Sequence, residues 1–304
     1  MDRLRALQYF VKLASTLSFS DTAAHFRVPS SSVSRRIKDL EEDLGAALFQ
    51  RTTRSVRLTE LGKLYLGEVA GALQSMEMAD ELIGAQSREP IGLLRITALP
   101  GYGEQFVLPA IDRLRCMYDK IDFDVSLTDQ VVNLSGSEFD IAIRASSTLP
   151  DQVVARRLCD HEFNLVASPD YIAQHGLPLI SSDLKDRSIL MYRAPHGILN
   201  WLVFRDDAWK IIDLKPRYVS NHGQSLLQSA ITGHGIALLP SWGVADDVRA
   251  GRLQVLTLED GPISVSGDAK MGMYLLYYPP KFRLQKIRIT VDFLVAELRG
   301  ASRT

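Results

Sequence analysis

The chain has 304 residues, 46% hydrophobic and 23% charged, an ordinary soluble balance with room for about two domains, which excludes disordered and collagen-like classes. Thirty-five Lys and Arg against 36 Asp and Glu leave a net charge of −1, which argues against a uniformly basic nucleic-acid coat. Two cysteines make no disulfide framework, no run of about 18 apolar residues predicts a membrane span, and Met1-Asp2-Arg3-Leu4-Arg5 opens no secretory signal, so a cytoplasmic protein is expected.

Leu7, Phe10, Val11 and Ala14 recur at helical spacing and predict an amphipathic helix over residues 2–16. Ser18-Phe19-Ser20-Asp21 supplies N-cap oxygens, with Ser18 and Asp21 at capping-box spacing, for a short helix carrying Ala23, Ala24 and Phe26. Val28-Pro29 ends it. Val33, Ile37, Leu40 and Leu44 mark a third helix, opened by Ser30-Ser31-Ser32 and closed near Gly45. The helical period is lost from Gln50 to Leu58, which reads as a two-stranded ribbon with its basic residues outward. Helix, short helix, tight turn, helix and ribbon is the order of a winged helix-turn-helix. Residues 1–58 hold ten basic and six acidic side chains, so this segment is +4 and the remaining 246 residues are −5.

From Thr59 to Gln86, apolar residues repeat every three to four positions and predict a long helix, whose apolar stripe needs either a core or a second copy as its partner. Arg88-Glu89-Pro90-Ile91-Gly92 reads as a linker. Beyond it, candidate strands at 93–98, 123–127, 139–144, 164–167, 189–192, 217–220, 236–239 and 274–278 are spaced by helices. The helices fall at 104–118, 169–175, 224–232 and 241–250, with a last one at 284–299. That alternation predicts an α/β domain with mainly parallel sheets.

The start of the third helix combines several features suited to duplex DNA. Hydroxyls of Ser30, Ser31, Ser32 and Ser34, with free N–H groups at a helix N-terminus, can bind phosphate or reach base edges. Arg35 and Arg36 add charge, and arginine takes a guanine edge with two hydrogen bonds. Arg51, Arg54 and Arg57 are placed to follow the backbone or enter the minor groove. Singly, each group has a plain explanation as a helix cap or a solvated face. Together, at helix-turn-helix spacing, they point to DNA.

These residues also carry a family resemblance. Phe10, Ser18-Phe19-Ser20, Ala23-Ala24, Val33-Ser34-Arg35-Arg36-Ile37, Leu40-Glu41, Leu44-Gly45, Leu48-Phe49-Gln50-Arg51 and Leu58-Thr59-Glu60-Leu61-Gly62 resemble the LysR-type transcriptional regulators. Phe139-Asp140-Ile141-Ala142-Ile143-Arg144, Ala167-Ser168-Pro169-Asp170-Tyr171 and the Gly233–Pro240 run extend the likeness over almost the whole chain. The resemblance implies a winged helix-turn-helix over 1–58, a dimerising linker helix over 59–91 and an effector domain like periplasmic binding proteins over 92–304. Lobe one of that domain is placed at 92–162 plus 268–304 and lobe two at 163–267. Also implied are a homodimer or homotetramer, an interrupted inverted repeat as the DNA site, and a small organic effector between the lobes. Ser30-Ser31 stands where many members carry Gln-Pro, so the bases read must differ. Asn133 replaces a common aspartate, and Ala145-Ser146-Ser147 replaces a glycine-containing turn, both near the expected cleft.

Segment by segment, the resemblance places Leu99, Pro100, Gly101, Tyr102, Thr128, Asp129, Arg144, His196, Asn200, Asn221, His222 and Gln224 around the effector. Helix starts after Gly101–Gly103 and Gly223 suit a carboxylate, and Arg144 offers it a charge-assisted bond, so an anionic effector fits. Arg144 in a structural ion pair, and His196 and His222 as surface or cap residues, are the plainer readings. No Gly-x-Ser-x-Gly, Walker loop or His-Glu-x-x-His occurs, and the histidines and cysteines show no metal-ligand spacing, so no enzyme, cofactor or metal is expected. Cys116 and Cys159 are expected reduced and partly buried. Two alternatives remain at this point: a ligand-binding protein or enzyme whose helical head serves assembly only, and a regulator whose cleft is filled by its own side chains.

Overall fold

The computed structural model describes residues 2–51, 56–84, 90–130, 134, 139–267 and 271–301. The chain divides into two compact units, the first over Met1–Arg88 and the second over Glu89–Leu134 with Phe139–Thr304.

In the first unit, α1 (Arg3–Thr16) is capped by Asp2, whose carboxylate accepts from the Arg5 N–H at 3.2 Å. Ser18 caps α2 (Phe19–Phe26) through the Asp21 N–H, also at 3.2 Å, and the Arg27 backbone turns left-handed to end it. Next, α3 (Ser30–Leu44) begins at Pro29 with no side-chain cap and stops at Gly45, whose φ of 64° suits glycine. Phe10, Leu13, Val33, Ile37 and Leu40 form a common core. Strands β1 (Phe49–Arg51) and β2 (Val56–Leu58) pair antiparallel, with Phe49 opposite Leu58, Gln50 opposite Arg57 and Arg51 opposite Val56.

Polar anchors fix this wing. The Glu41 carboxylate on α3 accepts from the Leu48 and Phe49 N–H groups at 2.8 and 3.0 Å. Thr59 donates to the Ala47 carbonyl at 2.8 Å, and its hydroxyl accepts from the Gly62 N–H at 2.9 Å in the first turn of α4 (Glu60–Gly84). That helix divides its stripe: Val69 and Leu73 enter the core of the unit, whereas Leu61, Leu64 and Met76 are 57%, 71% and 51% exposed.

In the second unit, β3 (Gly92–Ala98) leads through the single turn α5 (Pro100–Tyr102) and a π-helical turn at Gly103–Val107 into α6 (Leu108–Met117). Gly103 is required there, because a Cβ would strike Leu127 and come within 3.3 Å of Ala98. Strands β4 (Ile121–Leu127), β5 (Ile141–Ser146) and β6 (Val154–Asp160) follow. The chain then crosses at His161-Glu162 into β7 (Phe163–Ala167), α7 (Pro169–His175) and β8 (Ile189–Ala194). Short strands β9 (Gly197–Ile198), β10 (Leu202–Arg205) and β11 (Ala208–Ile211) precede β12 (Pro216–Ser220) and α8 (Gly223–Ile231). After β13 (Ile236–Pro240), α9 (Ser241–Arg249), β14 (Gln254–Val255) and β15 (Ile263–Ser264), the chain returns in β16 (Gly272–Tyr277) and ends on α10 (Gln285–Ala301).

One sheet has the order β4-β3-β5-β16-β6 and the other β12-β8-β13-β7-β14, with a small third sheet β11-β10-β15. The expectation of mainly parallel sheets is corrected. Only the β3–β4, β3–β5, β8–β12 and β8–β13 pairs are parallel among the described strands. Strand β16 returns antiparallel to β5 and β6, and β7 enters antiparallel to β13, because each arrives by a crossing between sheets rather than by a helical crossover within one. The β10–β11 hairpin turns at Asp206-Asp207, both with positive φ, as a two-residue turn of this kind requires.

Two glycines of α4 should respond oppositely to alanine. A Cβ on Gly62 would fall on the Leu48 carbonyl oxygen, so Gly62→Ala should destabilise the first unit by about 1–3 kcal/mol through overpacking. Gly67 faces open space, so Gly67→Ala should add up to about 1 kcal/mol through helix propensity. Urea unfolding monitored on this unit checks both signs.

Candidate functional site

In the first unit, the start of α3 carries the serines and arginines singled out in the sequence. Ser30 and Ser31 are exposed in the first turn of α3, Ser32 and Ser34 half-buried, Arg35 exposed and Arg36 half-buried. Pro29 is the N-cap and makes no side-chain cap bond, and the Ser32 N–H turns back to the Pro29 carbonyl at 3.0 Å, so the Ser30 and Ser31 end of the helix carries the positive end of the macrodipole. The serines therefore stand inside the helix rather than before it. Burial of Val33, Ile37 and Leu40 holds the opposite face in the core and leaves this one to solvent.

In the wing, Gln50 lies opposite Arg57 and Phe49 opposite Leu58, so these two pairs occupy opposite faces of the ribbon, and Arg57 is exposed. The Arg51 side chain lies outside the described residues. Arg54 lies outside the described residues.

In the second unit the two sheets meet near the C-terminal ends of their parallel strands, the place where ligands enter open α/β sheets. Leu99, just beyond β3, donates its N–H to the Ile143 carbonyl, and Thr128, just beyond β4, donates its N–H to the Ala98 carbonyl. Arg144 on β5 is half-buried. Its guanidinium donates to the Thr97 hydroxyl at 2.6 Å, to the Ile143 carbonyl at 3.0 Å and to the Gln130 carbonyl at 3.4 Å, while Nε has no hydrogen-bond partner among the described residues. Burial pulls its pKa down to about 10, and the Asp129 charge opposes that shift. The partners of Arg144 are thus hydroxyl and carbonyl oxygens. Buried Lys281 positions this strand: it pairs with Asp140 at 2.9 Å and donates to the Phe139 carbonyl at 2.8 Å, just before β5 begins.

Across the cleft, α8 of the second sheet touches α5 of the first, which brings the Pro100-Gly101-Tyr102 and Gln224 neighbourhoods together. His222 is the N-cap of α8 but forms no side-chain cap bond, and with Asn221 and Gln224 it is exposed. His196 and Asn200 sit differently. They are exposed in and beyond the turn of the β8–β9 hairpin, where Arg193 pairs with Ile198 and Ala194 with Gly197. Ala145 and Ser146 continue β5 opposite Met273 and Gly272, and the chain bends only from Ser147, while Asn133 lies outside the described residues.

Several residues at this junction carry no sequence signal. Trp242, at the start of α9, packs edge-on against Tyr102 with ring centres 5.2 Å apart and against Phe106 at 5.9 Å. Its carbonyl accepts from Gln105 at 3.4 Å, and its indole N–H donates to His161 Nδ1 at 3.1 Å. Burial lowers the His161 pKa to about 4, so the ring is a neutral acceptor. Tyr192, at the end of β8, donates to Asp129 at 3.1 Å from the opposite sheet. Burial, then the Asp129 charge, raises the Tyr192 pKa. A Trp or Tyr at a strand or helix end looks in sequence like any core aromatic. Cys116 is exposed and Cys159 half-buried on β6, both as reduced thiols, so the expectation of partial burial fails for Cys116. Among the described residues no His, Cys, Asp and Glu cluster could hold a metal, and no helix is long and apolar enough to cross a membrane.

Residues 4–63 match the family described as bacterial regulatory helix-turn-helix protein, lysR family, and residues 87–299 match the LysR substrate binding domain. The chain is 31% identical over 292 residues to the HTH-type transcriptional regulator CrgA of Neisseria meningitidis, covering 96% of each chain. It is 32% identical over 296 residues to the HTH-type transcriptional regulator DmlR of Escherichia coli, covering 96% of this chain and 93% of that one. The solved structure of CrgA superposes with a TM-score of 0.62 at 30% identity, covering 97% of this chain and 98% of the other.

Neutral His161 makes stability depend on acid. Its folded pKa of about 4 lies below the ordinary 6.5, so the unfolded chain binds the extra proton first as pH falls. Stability is therefore intact above about pH 6.5 and is lost progressively towards pH 4, with a slope approaching one proton. His161→Asn retains an acceptor for Trp242 without the titration. Its unfolding free energy should fall less steeply than that of the parent over this window, and equal slopes would refute the assignment.

Proposed function

The chain belongs to the LysR family of transcriptional regulators, and from that premise we propose how its parts read DNA and sense an effector. It is a helix-turn-helix DNA-binding regulator with a C-terminal effector-binding domain, and its relatives are transcriptional regulators rather than enzymes. The reading assigns 1–58 to DNA binding and 59–91 to a dimerising linker helix. It assigns 92–304 to the effector domain, with lobe one at 92–162 and 268–304 and lobe two at 163–267.

The observation that carries the DNA reading is the uncapped α3, whose exposed Ser30, Ser31 and Arg35 are held outward by a core of Val33, Ile37 and Leu40. In this reading α3 enters the major groove. Ser30, Ser31, Ser32 and Ser34 contact phosphate or base edges, Arg35 and Arg36 contact bases or phosphate, and the wing residues Arg51, Arg54 and Arg57 follow the backbone. The exposed apolar side of α4 at Leu61, Leu64 and Met76 supports pairing of two copies. Two heads so joined, as a homodimer or within a homotetramer, would read an interrupted inverted repeat. The function so assigned belongs to the cytoplasm.

For the effector, the supporting observation is Arg144, desolvated among oxygen acceptors with one donor left over. It suits a small organic anion, with Leu99, Pro100, Gly101, Tyr102, Thr128 and Asp129 around it from lobe one and Asn221, His222 and Gln224 from lobe two. His196 and Asn200 are the outer rim of this proposal.

Arg35→Ala with Arg57→Ala should weaken operator binding and reduce the slope of log K against log salt by about 0.9 for each phosphate no longer neutralised. Footprinting and salt titrations on the DNA flanking the protein's own coding sequence check this, and an unchanged slope would sink the DNA assignment. A panel of small organic acids should contain one that raises the melting temperature of the full-length protein by mass action. Arg144→Met should abolish that rise.

A further inference from the structure

The two lobes touch through contacts of two different kinds. Trp242 packs on Tyr102 and Phe106, with one long hydrogen bond from Gln105 to its carbonyl at 3.4 Å, and it adjoins the chain crossings: Trp242 donates to His161, whose backbone N–H donates to the Met271 carbonyl, just before the returning strand, at 3.0 Å. This mainly apolar contact sits beside the hinge, where a small rotation displaces it little. The Tyr192–Asp129 hydrogen bond is directional, lies at the strand ends that line the cleft, and joins the end of β8 to the residue after Thr128. Rotation about the crossings would move this contact most, because Asp129 follows β4, the sheet edge opposite β16 and β6. Asp129 also stands close enough to Arg144 for its charge to act on the guanidinium, yet the guanidinium bonds go elsewhere and Nε is left over.

We propose that the Tyr192–Asp129 hydrogen bond is an autoinhibitory latch, which holds the lobes closed over the cleft of the effector-free regulator. An anionic effector seated on Arg144 would repel the Asp129 carboxylate and release Tyr192, so binding and unlatching would be one event. The lobe rotation that follows is the signal passed on. This inference rests on the reading of the cleft as the effector site, but its test uses no effector.

Hydrogen exchange of the full-length, ligand-free protein is the measurement. Tyr192→Phe keeps the ring and removes the donor. Loss of one such bond should speed exchange by about ten-fold at facing segments of both lobes, near Leu99–Tyr102 and His222–Ser225, while β3 and α10 stay protected. Tyr218→Phe is the control, since Tyr218 bonds Ser225 at 3.4 Å within lobe two, and it should leave lobe one unchanged. Asp129→Ala removes the acceptor from the other side and should reproduce the effect, and the double variant should be no faster than either single one. Should Tyr192→Phe lose protection in β3 as well, it has unfolded, and Asp129→Ala decides alone. Exchange that is unchanged in lobe one, or additive in the double variant, overturns the latch. A protein that answers the acid panel without these changes keeps its effector site and loses the latch. Accelerated exchange with no answering acid does the reverse.

Discussion

Burial of a neutral imidazole between the two chain crossings is the constraint on which the effector unit depends. His161 follows the last residue of β6, donates its backbone N–H to the Met271 carbonyl just before β16, and accepts a hydrogen bond at Nδ1 from the indole N–H of Trp242. Only the uncharged ring can do this at little cost, since burial penalises the imidazolium. The outgoing and returning strands are thereby tied side by side, and an aromatic wedge from lobe two is fixed against Tyr102 and Phe106 of lobe one. The cleft residues gain their places from that tie.

The DNA-reading unit is organised by polar anchors at the margin of an apolar core. Val33, Ile37 and Leu40 fix which face of α3 looks out, but the wing is set by the Glu41 carboxylate on two successive N–H groups and by Thr59 on the Ala47 carbonyl. Charge-assisted bonds of this kind restrict geometry as well as adding stability. A near-neutral overall charge leaves no basic coat to carry DNA affinity, which in the proposed reading falls to a few placed contacts.

Much of this is legible in the residues, and the failures have identifiable causes. The helices of the head follow from apolar period and caps, and Ser18 caps α2 at the Asp21 N–H as its spacing suggests. The serines at 30–32 read as a helix opening, yet Pro29 takes the cap and leaves them inside the first turn. Strand β6 is hidden in the sequence because exposed Arg156 and Arg157 interrupt its alternation at a sheet edge. Arg144 is visible through its motif. Tyr192 and Trp242 are not, since nothing local distinguishes an aromatic that bridges two lobes from one that fills a core.

The sequence by itself determined the head, the long helix, the α/β character of the remainder and the family, because periodicity, caps and motif spacing are local properties written along the chain. Tertiary structure alone decided strand direction at the two crossings, the division of the α4 stripe into buried Val69 and Leu73 and exposed Leu61 and Leu64, and the meeting of Asp129 with Tyr192. Those depend on residues far apart in sequence, such as 129 and 192 or 161 and 242, brought within about 3 Å only when the sheets close on one another. The charge of −1 shows the same division. Its split into a basic head and an acidic body is countable along the chain, but which arginines face outward is settled by the fold.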